Sequence, residues 1–199
     1  MTKPGWIVVL NGAPRAGKSS IVRVVQETFD GPWMNLGVDV FARAVTPPRY
    51  QPGIGLRPGG ERPDLEPLVS AFYAALYDSV AAHSRRALNV VVDVDHHDSY
   101  STPLRILPNV ARQVADLPTL LVGVRCRIGV IMQRRGLDGD PPPPVLRWQT
   151  EVHTPGIYDL EVDTSVLTPE ECAARIRDRV EHSPPGDAFT RIAALDTRR

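Results

Sequence analysis

The amino-acid sequence predicts an α/β layered domain: a mainly parallel five-stranded sheet with helices on both faces. Three observations carry that expectation. Short apolar runs alternate with amphipathic stretches along most of the chain. The apolar runs are continuous rather than alternating, as in strands buried on both faces. A glycine-bounded turn joins the first run directly to a helix-forming stretch. The chain has 199 residues, within the range of one domain. That domain is expected over residues 1–183, with 184–199 as a peripheral tail.

Each element follows in order. Trp6 to Leu10 is the first strand. After the turn Asn11–Gly17, a helix runs to Phe29 with Ile21, Val22, Val25 and Phe29 inward, and Asp30-Gly31-Pro32 stops it. Trp33 to Val38 reads as a weak second strand. Thr46 to Pro63 is dense in proline and glycine, so no regular element is expected there. Loops of that length are usually functional or disordered, and this one is assigned to substrate. A helix follows from about Asp64, with Leu65, Leu68, Val69, Phe72, Leu76 and Val80 at three- and four-residue steps. Leu88 to Val94 is the third strand. Thr102-Pro103 reads as cap and first-turn proline of a helix that turns Leu107, Val110, Ala111 and Val114 inward. Leu117 to Val124 is the fourth strand, Arg127 to Arg135 a short helix, Asp138 to Pro144 a turn, and Ile157 to Val162 the fifth strand. Thr168-Pro169-Glu170-Glu171 is a capping box that opens a last helix through Ile176 and Val180.

Lys plus Arg and Asp plus Glu number 23 each, so the formal net charge is zero. That balance argues against a non-specific nucleic-acid binder, which needs a basic face to displace counterions from phosphate. It leaves room for a local anion pocket. No apolar stretch approaches the ~20 residues of a membrane span, and Trp6–Leu10 is too short for a signal-peptide core. A soluble, cytoplasmic protein with no membrane partner is expected. Cys126 and Cys172 then read as reduced, partly buried thiols.

The chemistry concentrates in Gly12-Ala13-Pro14-Arg15-Ala16-Gly17-Lys18-Ser19, which matches G-x-x-x-x-G-K-[ST] in full. A buried strand ends just before it and an amphipathic helix starts just after it, the context a P-loop requires. Gly12 and Gly17 let the backbone curl so that amide N–H groups converge on phosphate oxygens. The helix N-terminus adds partial positive charge. Lys18 supplies a point charge to the β- and γ-phosphates of ATP, and the Ser19 hydroxyl binds Mg²⁺; Ser20 follows at the cofactor site. The fold is therefore read as that of a P-loop NTPase. Neither an N-K-x-D guanine reader nor an L-S-G-G-Q signature is present, which leaves a small-molecule kinase as the fitting class.

The chain resembles the chloramphenicol phosphotransferase family. The matching pieces are residues 7–23 around the P-loop, Leu36-Gly-Val-Asp39, Asn89 to Val94, Leu121-Val-Gly-Val-Arg-Cys126 and Tyr158 to Ser165, spread over residues 6 to about 180. The resemblance implies a nucleoside-monophosphate-kinase-like fold, ATP and Mg²⁺, and an alcohol acceptor, with an antibiotic such as chloramphenicol among the candidates. It puts the catalytic Asp in the Gly-Val-Asp piece, at Asp39. Read from the residues alone, Asp39 is either a base facing the phosphates or a helix N-cap before Val40-Phe41-Ala42. Asp93 ends the third strand, where a carboxylate can hold Mg²⁺ through water, and Asp95 is a second candidate for metal or substrate. A lid is expected over about 134–150. Arg134 is assigned to the transferring phosphoryl group and Arg135 to the nucleotide. The sequence departs from the family where a second lid arginine would stand, at Leu137 to Pro141, and Arg147 is the candidate to compensate. In Asp93-Val-Asp-His-His-Asp98, neighbouring side chains at a strand end point in opposite directions, so a shared metal ion is disfavoured. One of His96 or His97 is a candidate for the acceptor pocket, and His153 is a candidate for packing or for substrate contact. Exposed apolar positions on the 64–85 helix serve either that pocket or a homo-oligomer interface. Two other readings stand beside the antibiotic-like acceptor: a metabolic kinase of another alcohol, and a nucleotide-binding regulatory module without transfer.

Overall fold

A computed structural model describes residues 3–51 and 64–196. Strands β1 (Ile7–Asn11), β2 (Trp33–Asn35), β3 (Asn89–Val94), β4 (Thr119–Arg125) and β5 (Leu160–Asp163) form one sheet. Its order is β2-β3-β1-β4-β5 and every pairing is parallel. β1 lies at the centre, with Leu10 opposite Asp93 of β3 and opposite Val122 of β4. All of β1 is buried, which is why its sequence is continuously apolar.

The period of two along β1 separates two cores. Val8 and Leu10 pack with α1 (Lys18–Thr28) and α7 (Pro169–His182). Ile7 and Val9 face the opposite layer, built by α3 (Glu66–Arg85), α4 (Ile106–Val114) and α8 (Ala188–Asp196). The helix after β1 and the helix after β3 thus lie on opposite faces. A crevice opens between the carboxyl ends of these two neighbouring strands, the place where open α/β sheets bind ligands.

Several local expectations are corrected. The second strand stops at Asn35 rather than Val38, because α2 (Val38–Val45) begins there with Gly37 as its N-cap. Leu68 is exposed, while α3 turns Tyr73 and Tyr77 inward and buries Glu66, which accepts from the backbone N–H and hydroxyl of Ser101. α4 starts at Ile106, not at Thr102, since Asp98 holds the backbone N–H groups of Leu104 and Arg105 at 2.8 and 2.9 Å in a turn outside the helix. α5 (Ile128–Arg135) matches its expected span. Instead of the turn expected over the proline run, α6 (Pro143–Glu151) grows out of it. Prolines in a first helical turn forfeit only N–H groups that have no intrahelical partner. β5 starts later than expected, at Leu160, and the preceding residues approach it as a loop. The tail is not peripheral: α8 packs on α4, and Ala188, Phe189 and Ile192 are buried in the second core. Of the substrate loop expected over 46–63, residues 52–63 lie outside the described residues; before them Pro48–Tyr50 forms a 3-10 turn.

Candidate active site

The turn after β1 is built by backbone conformation. Arg15 and Gly17 both adopt positive φ, 70° and 90°, and Gly17 is the N-cap of α1. No side chain caps α1 and its first turn holds no acidic residue. Its first amides therefore keep their capacity for an anion, reinforced by the helix dipole. Lys18 Nζ donates to the carbonyls of Gly12 at 2.6 Å and Ala13 at 3.0 Å, which arches its ammonium over the loop. Ala13 and Ala16 are buried beneath the turn, and Pro14, Arg15, Ser19 and Ser20 line the cleft above it.

Ser19 Oγ donates to Asp93 Oδ2 at 2.7 Å, across the crevice between β1 and β3. A hydroxyl and a carboxylate so paired are hard oxygen donors of the kind Mg²⁺ takes, so the residues present fit that ion. Gly37 packs directly on Asp93; a Cβ there would overlap the carboxylate. This contact brings the start of α2 to the phosphate loop. Asp39 sits exposed in the first turn of α2. It is not the N-cap, a position Gly37 holds, which removes the capping role read for it. Asp39, Asp93, Asp95, Lys18 and Ser19 line one cleft of about 770 Å³.

Arg134 and Arg135, at the end of α5, reach the same cleft. Arg134 Nη1 donates to Arg15 O at 3.1 Å and to Thr164 Oγ1 at 3.2 Å, and Nη2 to Thr164 O at 2.9 Å. Thr164 in turn donates to Ala16 O at 2.7 Å. The guanidinium thus braces the phosphate loop against the end of β5. Gly136 and Gly139 have positive φ on the way to α6, and Arg147 stands exposed on α6, away from the cleft.

The histidines diverge. His96 is buried, with Nε2 at 2.7 Å from Tyr77 Oη, and burial lowers its pKa to about 3. His97 stacks on Tyr100. His153 Nδ1 lies 2.8 Å from Tyr158 Oη; its pKa is lowered to about 4, by burial first and then by the charges of Arg125 and Lys18, against an opposing pull from Glu161. Among the described residues no three His, Cys, Asp or Glu side chains converge as a metal cluster. Sequence reasoning missed Arg43 and Thr164, which line the cleft, and the hydrogen-bonded pair Asn11 and Tyr158. One signal was legible: Asn11 is a polar residue closing an apolar strand.

The fold and the site define the class as a P-loop protein with the architecture of small-molecule kinases. The chain belongs to the chloramphenicol phosphotransferase-like family, whose model matches residues 5–181. A Mycobacterium tuberculosis protein that carries the provisional name O-phosphotransferase is 26% identical, over 94% of this chain and 88% of that one. Among solved structures, the Deinococcus radiodurans tunicamycin resistance protein superposes with a TM-score of 0.60 at 17% identity, over 93% of this chain and 99% of that one. The Mycobacterium tuberculosis APS kinase gives 0.60 at 15%, over 90% and 99%. Shikimate kinase from Aquifex aeolicus gives 0.56 at 14%, over 88% and 96%. At these identities the structural likeness speaks for the fold.

Proposed function

We propose that the protein is an ATP-dependent O-phosphotransferase that phosphorylates a hydroxyl of a small molecule. The observation that carries this reading is the single cleft in which Lys18, the Ser19–Asp93 pair and Asp39 meet. The amides of the phosphate loop and Lys18 bind the triphosphate, by exchanging the carbonyls of Gly12 and Ala13 for phosphate oxygens, which are stronger acceptors. Ser19 and Asp93 would hold Mg²⁺, which when bound supplies charge neutralisation at the phosphates. Asp39 accepts the proton of the acceptor hydroxyl, as a carboxylate lining the same cleft as Lys18 can. Asp95 and Arg43 line the same cleft and orient the acceptor. Arg134 reaches the transferring phosphoryl group when its fork trades Arg15 O and Thr164 for phosphate oxygens, and Arg135 contacts the nucleotide beside it.

A panel of small alcohols, chloramphenicol included, assayed with γ-labelled ATP and Mg²⁺ tests this reading. The expected result is label transferred to one chemical class of acceptor. Tight nucleotide binding with no transfer to any alcohol would instead support a regulatory module.

A further inference from the structure

We infer that Asn11 is a positioning residue: its one buried amide holds the end of α6 and the β3–α4 loop in register with the phosphate loop. Asn11 immediately precedes Gly12 and is 2% exposed. The backbone N–H of His96 donates to Asn11 Oδ1 at 2.8 Å, and a backbone N–H can only donate. The amide orientation is therefore set, and Asn11 Nδ2 must be the donor to Val152 O at 2.7 Å and to Tyr158 Oη at 3.0 Å. Because Tyr158 Oη accepts from Asn11, its own proton is available for His153 Nδ1, 2.8 Å away. The ring is then neutral with its proton on Nε2.

The partners of this amide lie 85, 141 and 147 residues away in sequence. His96 follows Asp95, which faces the phosphate cleft. Val152 ends the segment that runs from the Arg134–Arg135 pair through α6. A single group thus fixes the acceptor-side carboxylate and the expected lid against one point of the loop between them. An apolar side chain of equal size would fill the volume but leave the His96 N–H and the Val152 carbonyl without partners.

The test separates the two arms by hydrogen exchange on the full chain. Asn11→Asp keeps the acceptor for His96 and removes the donor to Val152 and Tyr158. Tyr158→Phe removes the phenol oxygen alone and preserves the ring. Asn11→Ala removes both arms. Without nucleotide, exchange in residues 150–158 is expected to rise about fivefold or more in all three variants, and at His96 in Asn11→Ala alone. A purely structural role would stop there. A positioning role requires in addition that a non-hydrolysable ATP analogue with Mg²⁺ raise protection of both segments together in the wild type. The same addition should reach only residues 94–98 in Asn11→Asp, and neither segment in Asn11→Ala. Release of His96 by Asn11→Asp, no response of residues 150–158 to Tyr158→Phe, or an unaltered nucleotide response in Asn11→Ala would each overturn the inference. This inference rests on the phosphotransferase reading for the nucleotide arm only. A wild type that does not bind the analogue, by calorimetry, defeats that reading together with the nucleotide arm, whereas the nucleotide-free pattern judges the hydrogen-bonded latch by itself.

Discussion

The roles proposed for Lys18 and Asp39 are separable at the scale of single residues. Lys18→Ala removes the ammonium arched over the loop carbonyls. Phosphate binding and stabilisation of the developing charge should fall together, and label transfer from ATP should be lost even at saturating nucleotide. Wild-type turnover would sink the phosphate-loop assignment. Asp39→Asn keeps shape and hydrogen-bonding reach but removes the proposed proton acceptor. Since general-base help is worth roughly 10²–10⁴ in rate, kcat should drop within that range while ATP affinity stays nearly unchanged. As Asp39 is exposed and makes no cap, an intact kcat would leave it without a role.

Among the elements, the proposed lid and the last helix should respond to different variants. Arg134→Lys keeps the charge and loses the planar fork that spans Arg15 O and Thr164. If residues 134–150 close over the phosphates, exchange there should slow when an ATP analogue and Mg²⁺ bind, and Arg134→Lys should lower kcat. Unchanged exchange with an unimpaired variant would point to a static surface segment. α8 depends on a distant carboxylate: Asp159 Oδ1 accepts from the backbone N–H groups of Asp187 and Ala188, both at 2.9 Å, and Oδ2 from Leu121 N–H at 2.8 Å. Asp159→Ala would orphan donors at the start of a helix that covers the second core. The expected cost is about 1–3 kcal/mol in urea unfolding, with exchange of α8 rising first. Neither α6 nor the α8 docking was legible in the sequence. Four prolines mask a helix start, and a cap supplied from Asp159, 28 residues away in sequence from the N–H it holds, leaves no local pattern.

At the scale of the whole molecule, the buried His96 and the half-buried His153 tie the fold to pH. The pKa values of His96 and His153 are lowered to about 3 and about 4, both below the unfolded value of 6.5. As pH falls below 6.5 the unfolded chain takes up protons that the folded protein refuses. Stability is therefore highest above that pH and is lost as pH drops toward the folded values. The slope due to the fully buried His96 rises to at most about 1.4 kcal/mol per pH unit between its folded and unfolded values. Denaturant titrations between pH 6.5 and 4 should show this loss, and His96→Phe should flatten it. An equal slope in the variant would mean that other groups carry the acid sensitivity.

Local residue order determined the sheet and the phosphate loop. Continuous apolar runs, a glycine-framed turn and the α1 stripe of Ile21, Val22, Val25 and Phe29 each act over a few residues, and all were found as expected. Tertiary structure decided what meets across the cleft. That Ser19 bonds Asp93, that Gly37 lets α2 bring Asp39 alongside, that Arg134 grips Thr164, and that Asn11 ties three segments together depend on the β2-β3-β1-β4-β5 order. These partners are separated by tens to more than a hundred residues. No periodicity or local propensity specifies them, because their energies exist only once the parallel sheet has brought its carboxyl ends together.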